Sequence, residues 1–167
     1  MRTILLLILV IFFSCEKDDI CTEETTPKLV IDFYEYLNPT IKKNFLKLEI
    51  SEISNPNTIL TIEHNNQVKL PLKTDATQST YLFRLYYTSL NNVVYNDDII
   101  SINYTKSDIY VSRACGFKSN FTLHQSSLDN TNPTVSDPNQ DGFWIKESVI
   151  KQNLITNENE THLDLLF

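Results

Sequence analysis

The residues with the clearest chemical spacing are Asp137, Asn139 and Asp141, oxygen-bearing side chains at alternate positions ahead of Gly142. Alternate spacing lets three side chains converge on one Ca²⁺ while the glycine permits a sharp turn. The bidentate acid that such loops place at the twelfth position is missing: Ser148 stands there, and Glu147 comes one place early. A polar turn ahead of a Phe143–Trp144 strand accounts for the same residues without an ion and is the preferred reading; no cofactor besides this calcium is considered. Trp144, with Tyr86, Tyr87, Tyr95, Tyr104 and Tyr110, could stack on sugar rings, although a sandwich core consumes aromatics of this kind. Arg113 shares an alternating face with Ile109, Val111 and Cys115, so it needs an ion partner, a strand-end position or an anionic ligand such as a carboxylate. His64, His124 and His162 are scattered, with no cysteine or acid pair at ligand spacing, and are read as structural; His162 falls opposite the Leu163, Leu165 and Phe167 face. The acid pairs Glu23-Glu24 and Asp97-Asp98 would suit glycoside chemistry, but both fall in expected linkers or loops of an acidic chain. No catalytic residue is assigned, and the chain is expected not to be an enzyme.

Three cysteines carry the remaining chemistry, and the first belongs to an address. Arg2 is followed by an unbroken apolar run, Ile4–Phe13. Ten helical residues rise only about 15 Å, half a bilayer core, which suits the apolar segment of a signal peptide and not a membrane span. Phe12-Phe13-Ser14-Cys15 then resembles a bacterial lipobox, with Phe12 in place of the usual leucine. Such a motif implies cleavage before Cys15, a diacylglycerol on its thiol and acylation of its new amine, so Cys15 is a lipid anchor; a plain signal peptide is the alternative. Glu16-Lys17-Asp18-Asp19 looks like the acidic export signal of surface lipoproteins in Bacteroidetes, against the plainer reading of a solvated linker. The expected location is the outer membrane, on the cell surface in preference to the periplasmic face. With Cys15 lipidated, Cys21 and Cys115 are the thiols that remain. In an oxidising compartment an even remainder points to a disulfide, worth ~4–5 kcal/mol on the chain-entropy account for so long a loop. Two buried free thiols are the alternative.

The elements that must hold these residues are read from turns and alternation. Only 2 of the 167 residues are glycine, so neither a phosphate-cradling Gly-rich loop nor a Gly-x-Ser-x-Gly elbow can be built. The net charge of -7 argues against nucleic acid as a partner. Leu29, Ile31 and Phe33 alternate with other side chains, as do Leu46, Leu48 and Ile50, then Val68, Leu70 and Leu72, then Tyr81, Phe83, Leu85 and Tyr87. Further strands are expected at Ile99–Tyr104, Ile109–Cys115, Phe143–Ile150 and His162–Phe167. Pro71 marks an edge strand. Asn-Pro, Asn-Asn and Asn-Asp-Asp clusters at 38–39, 55–56, 65–66, 91–92 and 96–98 take the turns, because Asn and Asp tolerate left-handed backbone. Short strands, frequent turn signals and no convincing amphipathic helix predict an all-β fold: an antiparallel β-sandwich, with an Ig-like form the leading version. The chain divides into a lipoprotein signal peptide (1–14), a lipidated tether (15–27) and one sandwich domain (28–167). A membrane barrel is the rival, since Leu163–Phe167 ends on phenylalanine, but several strands are too short for one.

Three segments together carry a family resemblance. They are Cys15-Glu16-Lys17-Asp18-Asp19-Ile20-Cys21 with Thr25–Ile31 and Phe33-Tyr34, then Tyr110–Lys118 around Cys115, and Trp144-Ile145 with Asn157-Glu158 and His162. They resemble an uncharacterised Bacteroidetes lipoprotein family, a domain of unknown function, over nearly all of the chain after Ser14. The resemblance implies a lipoprotein and supports the pairing of Cys21 with Cys115; it brings no reaction. Asp32 departs from the basic residue expected there, and the stretch Leu128–Gly142 is longer than usual. The functional expectation is an outer-membrane-anchored, non-enzymatic lipoprotein, a binding or envelope-assembly module. Its partners would be membrane lipid through Cys15 and an envelope protein or a glycan. The alternative is a carbohydrate- or calcium-dependent binding module built on the Asp137–Gly142 loop and Trp144.

Overall fold

In a pleated strand the side chains point alternately to opposite faces, and β6 (Gln78–Ser89) shows the pattern plainly. Ser79, Tyr81, Phe83 and Leu85 are buried, while Leu82, Arg84 and Tyr86 are only partly covered. The structure is a computed structural model that describes residues 20–22, 25–124 and 132–167. Cys15, the signal segment and the start of the Leu128–Gly142 stretch lie outside the described residues. Those described form twelve strands and no helix.

The strands make two sheets packed face to face, the β-sandwich that alternation predicts. The smaller sheet centres on β1 (Leu29–Glu35). One edge of β1 pairs in parallel with β12 (Leu163–Leu166), which pairs in turn with β10 (Glu147–Ile150). The other edge takes β5 (Gln67–Leu70) along Leu29–Asp32 and β2 (Asn38–Lys42) from Tyr34 onward. The larger sheet runs β11 (Leu154–Ile155), β8 (Gly116–Leu123), β7 (Asn92–Ser112), β6, β3 (Phe45–Glu52) and β4 (Asn55–Asn65), with β9 (Thr134–Ser136) beside β7.

The parallel β1–β12 pair is the exception in an otherwise antiparallel set of ladders. The strand order is not that of a seven-stranded, constant-type immunoglobulin domain, whose ABED and CFG sheets hold no three successive strands side by side. Here β6, β7 and β8 form a meander. A two-residue turn at Leu90-Asn91, both with positive φ (49° and 65°), ties β6 to β7 as a tight hairpin.

Leu29, Ile31, Phe33, Val68, Leu70 and Leu165 from the small sheet meet Leu48, Ile50, Phe83, Ile100, Ile102 and Phe121 from the large one. A line of edge-on aromatics crosses this core: Trp144 on Phe167 (5.4 Å), Phe167 on Phe33 (6.1 Å) and Phe33 on Phe45 (5.3 Å). Phe167, the residue that suggested a barrel, packs inside the sandwich.

The pairing corrects several local expectations. Ile99–Tyr104 and Ile109–Cys115 are not separate strands; β7 runs through both and ends at Ser112. Asn96-Asp97-Asp98 is no turn and lies within β7, opposite Phe83, Arg84 and Leu85. Only Glu147–Ile150 of the expected 143–150 strand joins a ladder. Leu46 is left at the rim, 40% exposed, and Phe45 takes the buried place against Phe33. His162, expected on the open face, is 1% exposed.

Candidate functional site

The two cysteines come together: Cys21 and Cys115 are disulfide-bonded, Cα to Cα 4.9 Å apart across a sequence separation of 94. Cys115 sits in the turn between β7 and β8, where its N–H donates to Ser112 Oγ (3.1 Å). The sulfur therefore lies at the end of the hairpin and not in the core, because β7 ends at Ser112, paired with Gly116, and the chain turns at Arg113-Ala114-Cys115. The segment after Cys21 is fastened twice more. Thr26 Oγ1 accepts the Ser119 N–H of β8 (3.0 Å), and the Lys28 N–H donates to Glu158 Oε1 (3.0 Å). The arm preceding β1 is thus held against the β7–β8 hairpin by one covalent bond and a hydrogen bond to β8.

A second concentration of polar groups lies where β6 and β7 pair. Arg84 and Asp97 stand directly opposite on the outer face and form a two-pronged ion pair (2.7 and 2.8 Å). Tyr95 stacks under the guanidinium at 4.2 Å, and Asn139 Nδ2 reaches the same carboxylate at 3.5 Å. The hydrogen bond to Asp97 holds the Arg84 proton more firmly than usual. Beside it Glu49 accepts from Tyr86 Oη (2.8 Å) and pairs with Lys47 (2.6 Å), whose ammonium lies 4.6 Å above the Tyr86 ring. These charges are spent on one another. The opposing Arg84 is what lets an Asn-Asp-Asp run continue as strand.

Asp98 points the other way, into the sandwich, and is fully buried. Its Oδ2 accepts the Ile145 N–H (2.8 Å), which is why Trp144 and Ile145 sit against the core without joining a ladder. Its Oδ1 has no hydrogen-bond partner, nor has Asn96 Oδ1 two positions away on the same face. Burial pushes the Asp98 pKa up to about 6, and the backbone N–H groups of Ile145 and Trp144 offset only part of that.

The Asp137–Gly142 loop, read as a polar turn with a calcium site as the alternative, is stitched to itself. Asp137 Oδ1 accepts the N–H groups of Asn139 (3.1 Å) and Gln140 (2.8 Å), and Oδ2 accepts that of Gly142 (2.8 Å). Burial works against the Asp137 charge, but these bonds outweigh it and lower the pKa. Asn139 turns its amide to Asp97, and Asp141 is exposed. Among the described residues no group of three or more His, Cys, Asp or Glu is placed to hold a metal ion. Gln140 and Gly142 take positive φ, which the glycine admits without strain.

Trp144 is 7% exposed, donates to the Phe83 carbonyl (3.3 Å) and packs on Phe167. It is a core residue and presents no ring to a sugar. Arg113 is exposed in the turn past β7, the strand-end position. The face it was assigned is not buried there, since Ile109 is 43% exposed and Val111 only half-covered.

Two buried groups at the small sheet play parts that sequence reasoning did not assign them: it noted Asp32 only as a departure from the family resemblance and put His162 on the open face. Asp32, 3% exposed, accepts from Lys42 (2.6 Å), Gln67 (2.8 Å) and Thr161 (2.9 Å). Burial opposes its charge, but those donors win and its pKa is lowered. His162 Nδ1 accepts the Val30 N–H (3.0 Å), and burial depresses its pKa. The signal for Asp32 was a lone acid between Ile31 and Phe33 in a strongly apolar strand; for His162 there was none.

Fold and covalent framework thus define a class: an all-β, disulfide-clipped sandwich, seven ion pairs being formed among its described residues. The chain belongs to the family of unknown function DUF6452, which matches residues 47–167. The match takes in Cys115, the Asp137–Gly142 loop and Trp144, and begins after Cys21. No curated protein and no solved structure matches the chain.

Proposed function

We propose that the chain is a Bacteroidetes outer-membrane lipoprotein, exposed at the cell surface, whose sandwich acts as a non-enzymatic binding or envelope-assembly module. The observation that carries this reading is the Cys21–Cys115 bond. Disulfides persist in oxidising compartments, which agrees with export behind the Ile4–Phe13 segment, and Cys21 comes six positions after the lipobox cysteine. The bond leaves Cys15 as the one thiol outside the pair, available for lipid. The self-paired state of Arg84, Asp97, Glu49 and Asp137 supports a structural role for those groups over a reactive one.

Intact mass spectrometry of the chain extracted from membranes tests the anchor. The expected product begins at Cys15 and carries a diacylglycerol and an amide-linked acyl group, and a Cys15→Ala variant is expected to carry neither. A chain that keeps residues 1–14, or that lacks lipid, overturns the reading. Surface exposure is read by protease shaving of whole cells, with Lys17-Asp18-Asp19 replaced by alanines as the variant expected to stay inside.

A further inference from the structure

We infer that the tip of the β7–β8 hairpin rests on the bilayer to which Cys15 is attached, as a built membrane-contact surface; this rests on the lipoprotein reading above. From Thr105 to Tyr110 every residue of β7 is exposed, while on β8 Ser119, Asn120 and Phe121 are still buried, so the part of the hairpin open on both strands is its tip around Tyr110 and Phe117. On that projection Tyr110 and Phe117 stand opposite one another, edge-on at 5.4 Å, yet are 58% and 70% exposed. Ile109 on the other face is 43% exposed, and Ile20, beside the disulfide, 85%. Tyr110 suits the headgroup level of a bilayer, where its apolar ring and polar hydroxyl are both satisfied, and the exposed Phe117 ring beside it gains by leaving water for the apolar side of that level.

Charge agrees with this placement. The hairpin between 105 and 118 carries Lys106, Arg113 and Lys118 against one acid, Asp108, in a chain of net charge -7. Asp108 is already engaged by Lys106 (2.8 Å) and Ser119 (2.6 Å). The hairpin's own excess is positive, and its cations add attraction to an anionic lipid surface, while the acids Glu16, Asp18, Asp19, Glu23 and Glu24 lie on the tether.

Chain length then selects the bilayer as occupant. From Cys15 to Cys21 an extended chain spans at most about 20 Å, and Cys21 is bonded to the hairpin turn itself. Phe117 follows Cys115 by two residues. A lipid on Cys15 therefore holds this end of the molecule against the membrane, while the Leu90-Asn91 turn lies the length of β7 away.

The test uses the full lipidated chain in vesicles of phosphatidylethanolamine and phosphatidylglycerol containing dibrominated phosphatidylcholine, whose bromines quench nearby tryptophan. Phe117→Trp and Leu90→Trp place reporters at the two ends, with the buried Trp144 of the parent subtracted as background. The expected result is at least twofold quenching of the reporter at 117, none at 90, and loss of the effect when Tyr110→Glu is added. An acylated chain that floats with the vesicles but shows no quenching at 117, or more at 90, overturns the membrane contact and leaves the anchor standing. A chain without lipid that stays out of the vesicle fraction overturns both. Both sites are exposed, so far-ultraviolet circular dichroism matching the parent is expected for each variant.

Discussion

Replacing Asp98 by asparagine should make the protein more stable at neutral pH, although it removes a buried hydrogen-bonding charge. The Asp98 carboxyl is fully buried, keeps one bond to the Ile145 N–H, and leaves Oδ1 unpartnered. Burial raises its pKa from 3.8 to about 6. A rise of that size makes ionisation in the fold cost about 3 kcal/mol. The folded chain holds this proton more tightly than the unfolded one, so between 3.8 and about 6 stability falls as pH rises, and the full cost is present above. Asparagine keeps an oxygen for Ile145 and carries no charge to be buried. Asp98→Asn is expected to gain ~1–3 kcal/mol near pH 8 and nothing near pH 4. Urea unfolding of parent and variant, disulfide intact, at closely spaced pH values measures it. The difference between the two is the quantity to read, because other groups titrate in the same range. His162, buried with a lowered pKa, contributes stability that is lost as pH falls below 6.5. Asp164, raised by burial, acts in the sense of Asp98. Both cancel in the difference. A variant no more stable than the parent at pH 8, or a gain that does not vary with pH, refutes the idea that Asp98 is held charged at a cost.

Three further outcomes are expected. Opening the 94-residue loop with Cys21→Ser and Cys115→Ser together should cost about 4–5 kcal/mol of stability, and denaturant titration with and without reductant should give the same deficit for the parent. Arg84→Met strands the nearly buried Asp97 carboxylate and should cost about 2 kcal/mol, most of it recovered by adding Asp97→Asn in a double-mutant cycle. Because Asp137 already accepts three backbone N–H groups, millimolar Ca²⁺ or a chelator should move Tm by less than about 1 °C; a calcium-dependent rise of several degrees in differential scanning fluorimetry would restore the ion-binding loop.

Period-two alternation was legible wherever the core is deep. Leu29, Ile31 and Phe33, then Val68 and Leu70, then Tyr81, Phe83 and Leu85 are buried as alternation requires. Pro71 follows β5, which pairs with β1 alone, as an edge position requires. Legibility failed where polar residues are neutralised by a partner far along the chain. Asn96-Asp97-Asp98 looks like a turn until Arg84 and Ile145 are placed beside it. Likewise Asn55-Pro56 opens β4, which no expectation included, and Asn38-Pro39 opens β2. Trp144 shows the converse: its local context suggested a strand or a platform, and only the approach of Phe167 and the Phe83 carbonyl makes it core. The disulfide was legible from counting, since counting needs no geometry; the position of its sulfur at a hairpin tip needed the fold.

The parallel pairing of β1 with β12 also sets an order of events during synthesis. A chain made from its N-terminus presents β1 early, but one full edge of that strand waits for Leu163–Leu166. Meanwhile β3 with β4, and β6 through β8, close on neighbours made only tens of residues apart. The larger sheet can therefore assemble while the smaller one is still open, with Phe33 uncovered until Phe167 arrives against it. A message cut short anywhere before Leu163 yields a chain with an exposed, strongly apolar β1 and no lid for it. Without Leu163–Leu166, β1 keeps its β5 and β2 partners on one edge and a bare, apolar edge on the other.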